Sequence, residues 1–385
     1  MTPKVDSRML LLPILWIAVA HVASAQQYRT AEVNLTLGGD QGTGPEYQFE
    51  RIDGLAFGKS GRILVADSKA NTVRVFDSRG RFEYAIGRSG QGPGDLNRPC
   101  CITVAGETLW VEEGGNQRYS AFSLGLKSSR FLRSIRAPNA MSGANHRVSW
   151  DKSGNLIHLS DVFDSKNRSF RLTRTVLDSV GGTLRLDTLP EPPAEDLAVK
   201  QITLPVRGEK GGKFASTVGI AQPFGAFALR AFGPAGDVAE AVSSTYAITW
   251  TQNGRRLPIR SSLLPVRVSD RERAEAEQSL GEFLKRNQLS RSDLPFGIPE
   301  VKAPLIGLGF DLDGRLWVDR SVGDGQAKTA DVYDRNGKHA MVVEWPRNIR
   351  LSLRASTGVT ALGVAVDSLG VESVVRVQLV AKSKP

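Results

Sequence analysis

Residues 57–65 read FGKSGRILV and residues 310–318 read FDLDGRLWV. In both stretches an apolar residue precedes a tight turn that ends on glycine, and a basic residue then opens an apolar strand. A second pair follows in the same order, because residues 75–81 read VFDSRGR and residues 332–338 read VYDRNGK. Two matched pairs in one order indicate an internal repeat built from β-hairpins.

Weaker copies of the same strand–turn–strand pattern bring the number of units to six. They lie at 102–111, 150–157, 232–254 and 359–381. Each unit is predicted to hold four short strands, named a to d in chain order. Two segments, 187–221 and 261–303, do not fit the repeat and are interpreted as insertions. Without them and the first 25 residues each unit has about 47 residues, the length of a propeller blade. The predicted fold is all-β, a six-bladed β-propeller spanning 26–385.

The beginning of the propeller is predicted to complete its last blade. Residues 33–39 read VNLTLGG and resemble 82–87, FEYAIG, which end the first full unit as its outer strand. An isolated d strand at the N-terminus has no hairpin partner of its own. We therefore expect it to pair with the C-terminal unit, which closes the ring and leaves no open sheet edge.

The second insertion contains the one predicted helix, over residues 269–289. Ser269 and Glu272 have the spacing of a capping box, and Leu280 and Leu284 share an apolar face with Ala276 and Phe283. Two interpretations are open for this helix. It is either a lid or partner-docking element, or a decoration packed on the side of its own blade.

One blade resembles an NHL repeat. The resemblance rests on residues 63–77, ILVADSKANTVRVFD, followed by Gly80, Ile86-Gly87 and the glycine-rich loop 90–94. The resemblance is strong for this blade and fair for residues 305–345. In the other units it is limited to the arrangement of strands and turns. Membership of this group of repeats implies a six-bladed β-propeller, which agrees with the count of units. The later blades lack the aspartate and asparagine of this motif, here Asp67 and Asn71.

The N-terminus has the layout of a secretory signal peptide. Lys4 and Arg8 precede the apolar run Met9–Ala20, and small residues follow at 23–25. We expect residues 1–25 to be removed after Ala25, and the mature chain to be periplasmic or extracellular. The remaining sequence offers no run of 18 apolar residues, so no transmembrane segment is expected in the mature chain.

The net charge is +10, from 50 basic and 40 acidic residues. Because the chain is expected to be exported, nucleic acid is an unlikely partner. The basic excess instead favours a protein, a peptide, a glycan or the anionic surface of the cell envelope. With 41% hydrophobic and 23% charged residues, the composition excludes a disordered chain.

The only cysteines, Cys100 and Cys101, are adjacent. On a regular strand their side chains would point to opposite faces. A disulfide between neighbours requires a strained ring, so a bridge that staples the fold is not expected. The preferred interpretation is two small, partly buried side chains, and the alternative is a redox-active pair.

The candidate binding residues lie on the d–a and b–c loops, which are long and share one face of the predicted disc, the long-loop face. Arginines at the start of the innermost strands could grip a carboxylate, sulfate or phosphate. They could instead form salt bridges with Asp53, Glu113 and Asp161. Asp67 and Asn71 could contact ligand or bond to the loop backbone. The candidates are Arg51, Asp67, Asn71, Arg98, Glu113, His146, Arg147, Asp161 and Arg320.

The sequence is poor in catalytic signatures. The histidines expected in the mature chain, His146, His158 and His339, lie in different units, and no metalloprotease, nucleophile-elbow or Walker motif occurs. The favoured function is therefore an exported, non-catalytic binding scaffold without a cofactor. The alternative is a metal-dependent lactonase or esterase of the gluconolactonase-like propeller type, in which Ca²⁺ or Zn²⁺ activates water. Its candidate ligands are Glu50, Asp53, Glu113 and Asp161.

Overall fold

The fold was taken from a computed structural model of the chain. The structure describes residues 27–39, 44–138, 147–150, 155–164, 169–178, 180–189, 197, 199–207, 213–294 and 296–382. The predicted signal peptide, residues 1–25, and its cleavage site lie outside these ranges.

Strands dominate the described residues and group into blades of four. The first strand is β1 (Gln27–Leu37). Blade 1 contains β2 (Ile52–Phe57), β3 (Ile63–Asp67), β4 (Thr72–Phe76) and β5 (Phe82–Ile86). Blade 2 contains β6 (Pro99–Ala105), β7 (Thr108–Glu113), β8 (Arg118–Leu124) and β9 (Ser129–Arg136). Blade 3 contains β10 (Arg147–Trp150), β11 (Leu156–Asp164), β12 (Ser169–Leu177) and β13 (Thr183–Thr188).

The second half repeats this plan after an inserted hairpin, β14 (Val199–Arg207) and β15 (Lys213–Ala221). Blade 4 contains β16 (Ala228–Phe232), β17 (Val238–Val242), β18 (Ala247–Gln252) and β19 (Arg255–Arg260). Blade 5 contains β20 (Leu305–Phe310), β21 (Leu316–Arg320), β22 (Lys328–Tyr333) and β23 (His339–Trp345). Blade 6 contains β24 (Ile349–Ser356), β25 (Thr360–Val366) and β26 (Glu372–Lys382), with β1 as its fourth strand. The predicted six-bladed all-β fold is confirmed.

The matched turns of the sequence repeat adopt the same structure. In the β4–β5 turn Asp77 Oδ1 accepts the backbone N–H groups of residues 79 and 81, both at 2.9 Å. Asp334 makes the same two bonds, at 2.9 Å each, in the β22–β23 turn. Gly80 and Gly337 follow with φ of 83° and 74°, a conformation that favours glycine. The aspartate and glycine of the repeat therefore specify one turn geometry.

The N-terminal strand closes the ring as expected, and it also joins two blades. β1 pairs antiparallel with β26, from Tyr28–Lys382 to Leu37–Val374. Its first residues also pair in parallel with β23, from Gln27–Met341 to Thr30–Glu344. Blades 5 and 6 thereby form one eight-stranded sheet, and both edges of β1 are hydrogen-bonded over residues 28–30.

The hydrophobic core lies between neighbouring blades, because each sheet buries both faces. Leu64 and Ala66 of blade 1 pack with Ile102 and Val111 of blade 2. Similar clusters join blades 2 and 3, 4 and 5, 5 and 6, and 6 and 1. Contacts between β2 and β6, β2 and β24, β16 and β20, and β20 and β24 place the innermost strands around a central channel.

The two insertions leave the ring at d–a connections. Residues 187–188 were assigned by sequence to the first insertion, but they pair with Thr173 and Arg174 as the end of β13, so the insertion begins after Thr188. The second insertion, between β19 and β20, contains α1 (Asp270–Asn287). Both bonds of its predicted capping box are present, and Leu280 and Leu284 are buried.

No helix within the described ranges combines the length and apolar character that a membrane crossing requires.

Candidate functional site

Asp67 anchors the loops at the start of blade 1. The carboxylate is fully buried at the end of β3. It accepts the backbone N–H groups of Glu50 at 3.0 Å, Arg51 at 3.2 Å and Ala70 at 3.2 Å, and it lies 3.5 Å from the Arg74 guanidinium. These bonds hold the d–a loop and the b–c loop together. They agree with the second of the two interpretations of Asp67, in which its side chain bonds to the loop backbone.

Glu113 has the equivalent role in blade 2. It ends β7 with its side chain buried, and it accepts the backbone N–H of Asn97 at 3.3 Å. Arg118 Nε lies 2.8 Å from the carboxylate, the Asn116 amide donates at 2.6 Å, and the Ser120 hydroxyl also donates. Both carboxylate oxygens are therefore bonded within the chain. The arginine that pairs with Glu113 is Arg118, which was not among the candidate arginines of the sequence analysis.

Asn71 links the two anchored regions. Its side-chain oxygen accepts the backbone N–H of Arg98 at 2.7 Å, and its amide donates to the Ser89 hydroxyl at 3.3 Å. Arg98 itself has a φ of 51°, so the bond from Asn71 fixes a backbone conformation that non-glycine residues seldom adopt. The b–c loop of blade 1 is thus bonded to the d–a loop that leads into blade 2.

The predicted arginines differ in their surroundings. Arg51 is 61% exposed and its Nε lies 3.0 Å from Asp53 Oδ2. Arg98 is exposed. Arg320 lies 3.3 Å from the buried carboxylate of Asp331, which also accepts a bond of 2.7 Å from the Tyr246 hydroxyl. The side chains of Arg147 and Asp161, and the whole of His146, lie outside the described residues.

The four candidate metal ligands do not form a group among the described side chains. Glu50 is exposed, Asp53 pairs with Arg51, and Glu113 is bonded as above. The fourth, Asp161, is one of the side chains that are not described. In the described part of the chain, metal-binding side chains converge elsewhere, at Cys100, Cys101 and Glu112.

A cavity of about 320 Å³ marks the central channel. It is lined by the innermost strands of five blades. The lining includes Asp53, Cys101, Phe232, Phe310 and Arg354. In these five blades strand a, the first strand of the blade, therefore faces the channel. Two charged side chains, Asp53 and Arg354, and one thiol therefore contact the same space.

The innermost strands carry β-bulges beside this cavity. The register shifts between Cys100 and Thr103 in β6, and similar shifts occur in β2, β20 and β24. Cys101 has a φ of 50°. Bulges re-aim side chains and are frequent next to functional sites.

The bulge overturns the prediction that the two cysteines point to opposite faces. That prediction assumed a regular strand, whereas the left-handed conformation of Cys101 turns its thiol toward that of Cys100. The two sulfur atoms and a carboxylate oxygen of Glu112 all lie within 4.8 Å of one another. Neither cysteine forms a disulfide.

Neutral forms are favoured for two groups behind the channel wall, the Cys100 thiol and the Tyr119 hydroxyl. A hydrogen bond to Cys101, burial, and the nearby carboxylates of Glu112 and Asp53 raise the pKa of the Cys100 thiol. Burial and the charge of Glu112 likewise raise the pKa of Tyr119 well above its usual range. The Tyr119 hydroxyl is hydrogen-bonded to Nδ1 of buried His158, which joins blades 2 and 3.

A second cavity, of about 650 Å³, lies between the loops of blades 4 and 5 and the helical insertion. Phe224, Leu264, Val301, Lys302 and Arg320 are among its lining residues. Leu264 is 89% exposed. Apolar side chains and two basic ones, Lys302 and Arg320, thus line the same cavity.

The helix α1 is anchored to the b–c loop of blade 5. Asp324 accepts bonds of 2.9 Å from Ser269 Oγ and 2.9 Å from Arg271 Nε. The bonds from Arg271 and Ser269 lower the pKa of Asp324 to about 2. The anchoring carboxylate therefore contributes to stability above its ordinary pKa of about 4. This contribution is lost as the pH falls toward 2.

Replacing Asp324 with asparagine is expected to loosen the first turn of α1. The substitution removes the negative charge of the carboxylate to which Arg271 and Ser269 both donate hydrogen bonds. The contacts within the blades are unchanged. Hydrogen exchange at neutral pH should show faster exchange of amides 270–275 and unchanged exchange in β20–β23. Glu275→Gln, which removes the other carboxylate near Arg271, is the control and should change little. Equal exchange in the wild type and Asp324→Asn would contradict this anchoring.

Sequence reasoning missed Glu112 and Arg354 as residues of the channel wall. Glu112 was visible as a charged residue at a strand end, but its convergence with the cysteines depends on the bulge. Arg354 lies in the irregular part of β24, between Ser352 and Ser356, where alternation does not indicate which face a side chain takes.

Comparison with known proteins supports the architecture. A family model described as a 6-bladed beta-propeller matches residues 42–169. No curated protein matches the chain by sequence.

Several solved structures are similar to the chain at low sequence identity. A Bacteroides fragilis NCTC 9343 protein, described as a candidate exported protein, is 12% identical with a TM-score of 0.50, covering 92% of this chain and 96% of its own. An inactive virginiamycin B lyase variant from Staphylococcus aureus is 11% identical with a TM-score of 0.43, covering 90% and 99%. Regucalcin from Agrobacterium tumefaciens, a calcium-binding protein, is 10% identical with a TM-score of 0.39, covering 93% and 98%. By its blades, its ring closure and its family match, the chain is a six-bladed β-propeller.

Proposed function

We propose that the chain is an exported binding scaffold that holds an anionic peptide, glycan or protein segment at its long-loop face and leaves it chemically unchanged. Export is inferred from the N-terminal sequence pattern, and the B. fragilis protein of the same fold is itself described as a candidate exported protein. The fold alone does not decide the function, because propellers host many chemistries.

The observation that carries the proposal is the division of charges on the long-loop face. The carboxylates of Asp67 and Glu113 are buried and bonded to the chain's own loops. The Arg98 side chain, by contrast, is exposed, and so is that of Arg51, whose Nε pairs with Asp53 at 3.0 Å. They occupy equivalent positions, because the carbonyl of Arg51 accepts from Ser68 N at 2.9 Å and that of Arg98 from Gly114 N at 3.2 Å. The fixed loops thus present guanidinium groups to a ligand.

The fixed loops also favour the binding function over that of a metal-dependent lactonase or esterase. A Ca²⁺ or Zn²⁺ ion on Glu113 would have to displace Arg118 and Ser120 from a buried carboxylate. Leaving the Arg118 charge without its partner would be costly. A binding surface requires no such displacement, and a rigid frame lowers the entropic cost of holding a ligand.

The proposal is tested by charge reversal on two faces. A printed array of envelope glycans and acidic peptides selects a ligand, and its affinity is then measured for the wild type and for Arg51→Glu/Arg98→Glu. We expect a loss of roughly 10-fold or more for this double variant. Arg79→Glu/Lys338→Glu reverses two exposed charges on the opposite face and should change affinity by less than about two-fold. Equal losses in both double variants would contradict the proposal.

Two further measurements separate the alternatives. Binding that weakens steeply with salt and shows no preference among anionic ligands would favour attachment to the anionic envelope surface. Stoichiometric metal together with lactone or ester hydrolysis, both lost in Glu113→Gln, would favour the hydrolase.

A further inference from the structure

The channel wall brings three metal-binding side chains together. Cys100 and Glu112 face each other as paired residues of β6 and β7, and the bulge adds Cys101. The two sulfur atoms and one carboxylate oxygen lie within 4.8 Å of one another. Glu112 is only 5% exposed, whereas Cys101 lines the central cavity. The group is therefore buried on one side and reaches the channel on the other.

We propose that Cys100, Cys101 and Glu112 bind one zinc-class divalent cation at the channel wall. Zn²⁺ accepts thiolate and carboxylate ligands at about 2.3 Å and about 2.0–2.2 Å, respectively. In a tetrahedral site such bonds place the ligand atoms about 3.5–3.8 Å from one another. Because 4.8 Å is the upper limit of the observed spacings, the group needs a contraction of at most about 1.3 Å, which side-chain rotation can supply.

The donor set selects the class of metal. Thiolates are soft ligands that favour zinc-class and other thiophilic cations, whereas Ca²⁺ requires six to eight oxygen ligands. This group offers one carboxylate, so calcium is not the expected ion. The site therefore differs in residues and in metal chemistry from a calcium site built on Glu50, Asp53, Glu113 and Asp161.

Charge and access also suit a bound cation. As the two metal–sulfur bonds form, two thiol protons pass to solvent, and the three anionic ligands leave a net charge of −1 on the metal site. Arg354 lines the same cavity and offsets this charge. Three protein ligands would leave a fourth tetrahedral position, and the cavity that Cys101 lines offers room for a water molecule or a ligand there.

Cobalt provides the test, because Co²⁺ reports thiolate ligation by its absorption. The mature chain is purified with a reductant, treated with chelator and titrated with Co²⁺, and Zn²⁺ is then added. We expect one equivalent of cobalt, a sulfur-to-cobalt charge-transfer band, and displacement by one equivalent of Zn²⁺. Cys100→Ser and Cys101→Ser should each weaken cobalt binding by about 100-fold or more, and Glu112→Gln by about 10-fold. Glu107→Gln, an exposed carboxylate of the same blade, should leave binding unchanged.

The wild type alone can overturn the proposal. Two titratable thiols without a charge-transfer band in the wild type would contradict it, as would cobalt binding of undiminished affinity in both serine variants. Thermal unfolding of each variant shows whether weaker cobalt binding comes from the missing metal-binding side chain or from a loss of folding. The wild-type titration needs no such control. The affinity for the array-selected ligand, which tests Arg51 and Arg98, is measured on the metal-free chain. The proposed ligand-binding face and the proposed metal site can therefore fail independently.

Discussion

Replacing Glu113 with alanine is expected to destabilise the propeller by about 3–5 kcal/mol. The substitution leaves Arg118, which is 16% exposed, without its carboxylate and removes the acceptor for Asn97 N, Asn116 and Ser120. Arg118 keeps its bonds to the backbone carbonyls of Gln91, Gly92 and Asp95, but its largely buried charge loses the carboxylate that offsets its desolvation cost. Urea unfolding followed by circular dichroism measures the difference.

Two substitutions make this prediction specific to the anchoring role. Glu113→Gln keeps an acceptor oxygen and should cost less than Glu113→Ala. Glu107→Ala in the same blade removes an exposed carboxylate that pairs with Lys59 and should cost about 1 kcal/mol or less. If Glu113→Ala proved no more costly than Glu107→Ala, the loop-anchoring role of Glu113 would be wrong.

Introducing an aspartate at Ala31 is expected to cost at least about 3 kcal/mol, because it buries an unpaired charge between blades 5 and 6. Ala31 is 6% exposed and packs with Val343 and Val377. Val33, two residues later on the same strand, is 47% exposed. Val33→Asp is therefore the matched control, with an expected change within about 0.5 kcal/mol.

The Ala31 variant tests the closure of the ring. β1 supplies the outer strand of blade 6 and pairs with β23 of blade 5, so its loss exposes the edges of two blades. We expect unfolding to remain cooperative at a lower urea midpoint. Equal stability of the Ala31 and Val33 variants would show that β1 does not dock as described.

The parts of the fold that could be predicted are those set by local chemistry. The Asp77 and Asp334 turns follow from an aspartate and a glycine at fixed spacing, and the capping box of α1 follows from Ser269 and Glu272. The docking of β1 was also predictable, because its sequence resembles an outer strand. Each of these signals is contained within a few consecutive residues.

The candidate site was harder to predict, because it depends on irregular strands and on the register between paired strands. Alternation along a regular strand placed Cys100 and Cys101 apart, and a bulge with one left-handed residue brings them together. The pairing of Arg118 with Glu113 depends on the β7–β8 register, in which the two residues lie opposite each other. No local motif specifies either outcome.

The central claim is that the long-loop face binds a ligand without altering it. Amide hydrogen exchange of the chain, measured with and without its array-selected ligand, tests this most directly. The ligand is then recovered and its mass is determined by mass spectrometry. We predict slower exchange in loops 66–72, 87–99 and 112–118, no change in the turns around Gly80 and Gly337, and a ligand of unchanged mass. Protection confined to those turns, or recovery of a cleaved ligand, would contradict the account.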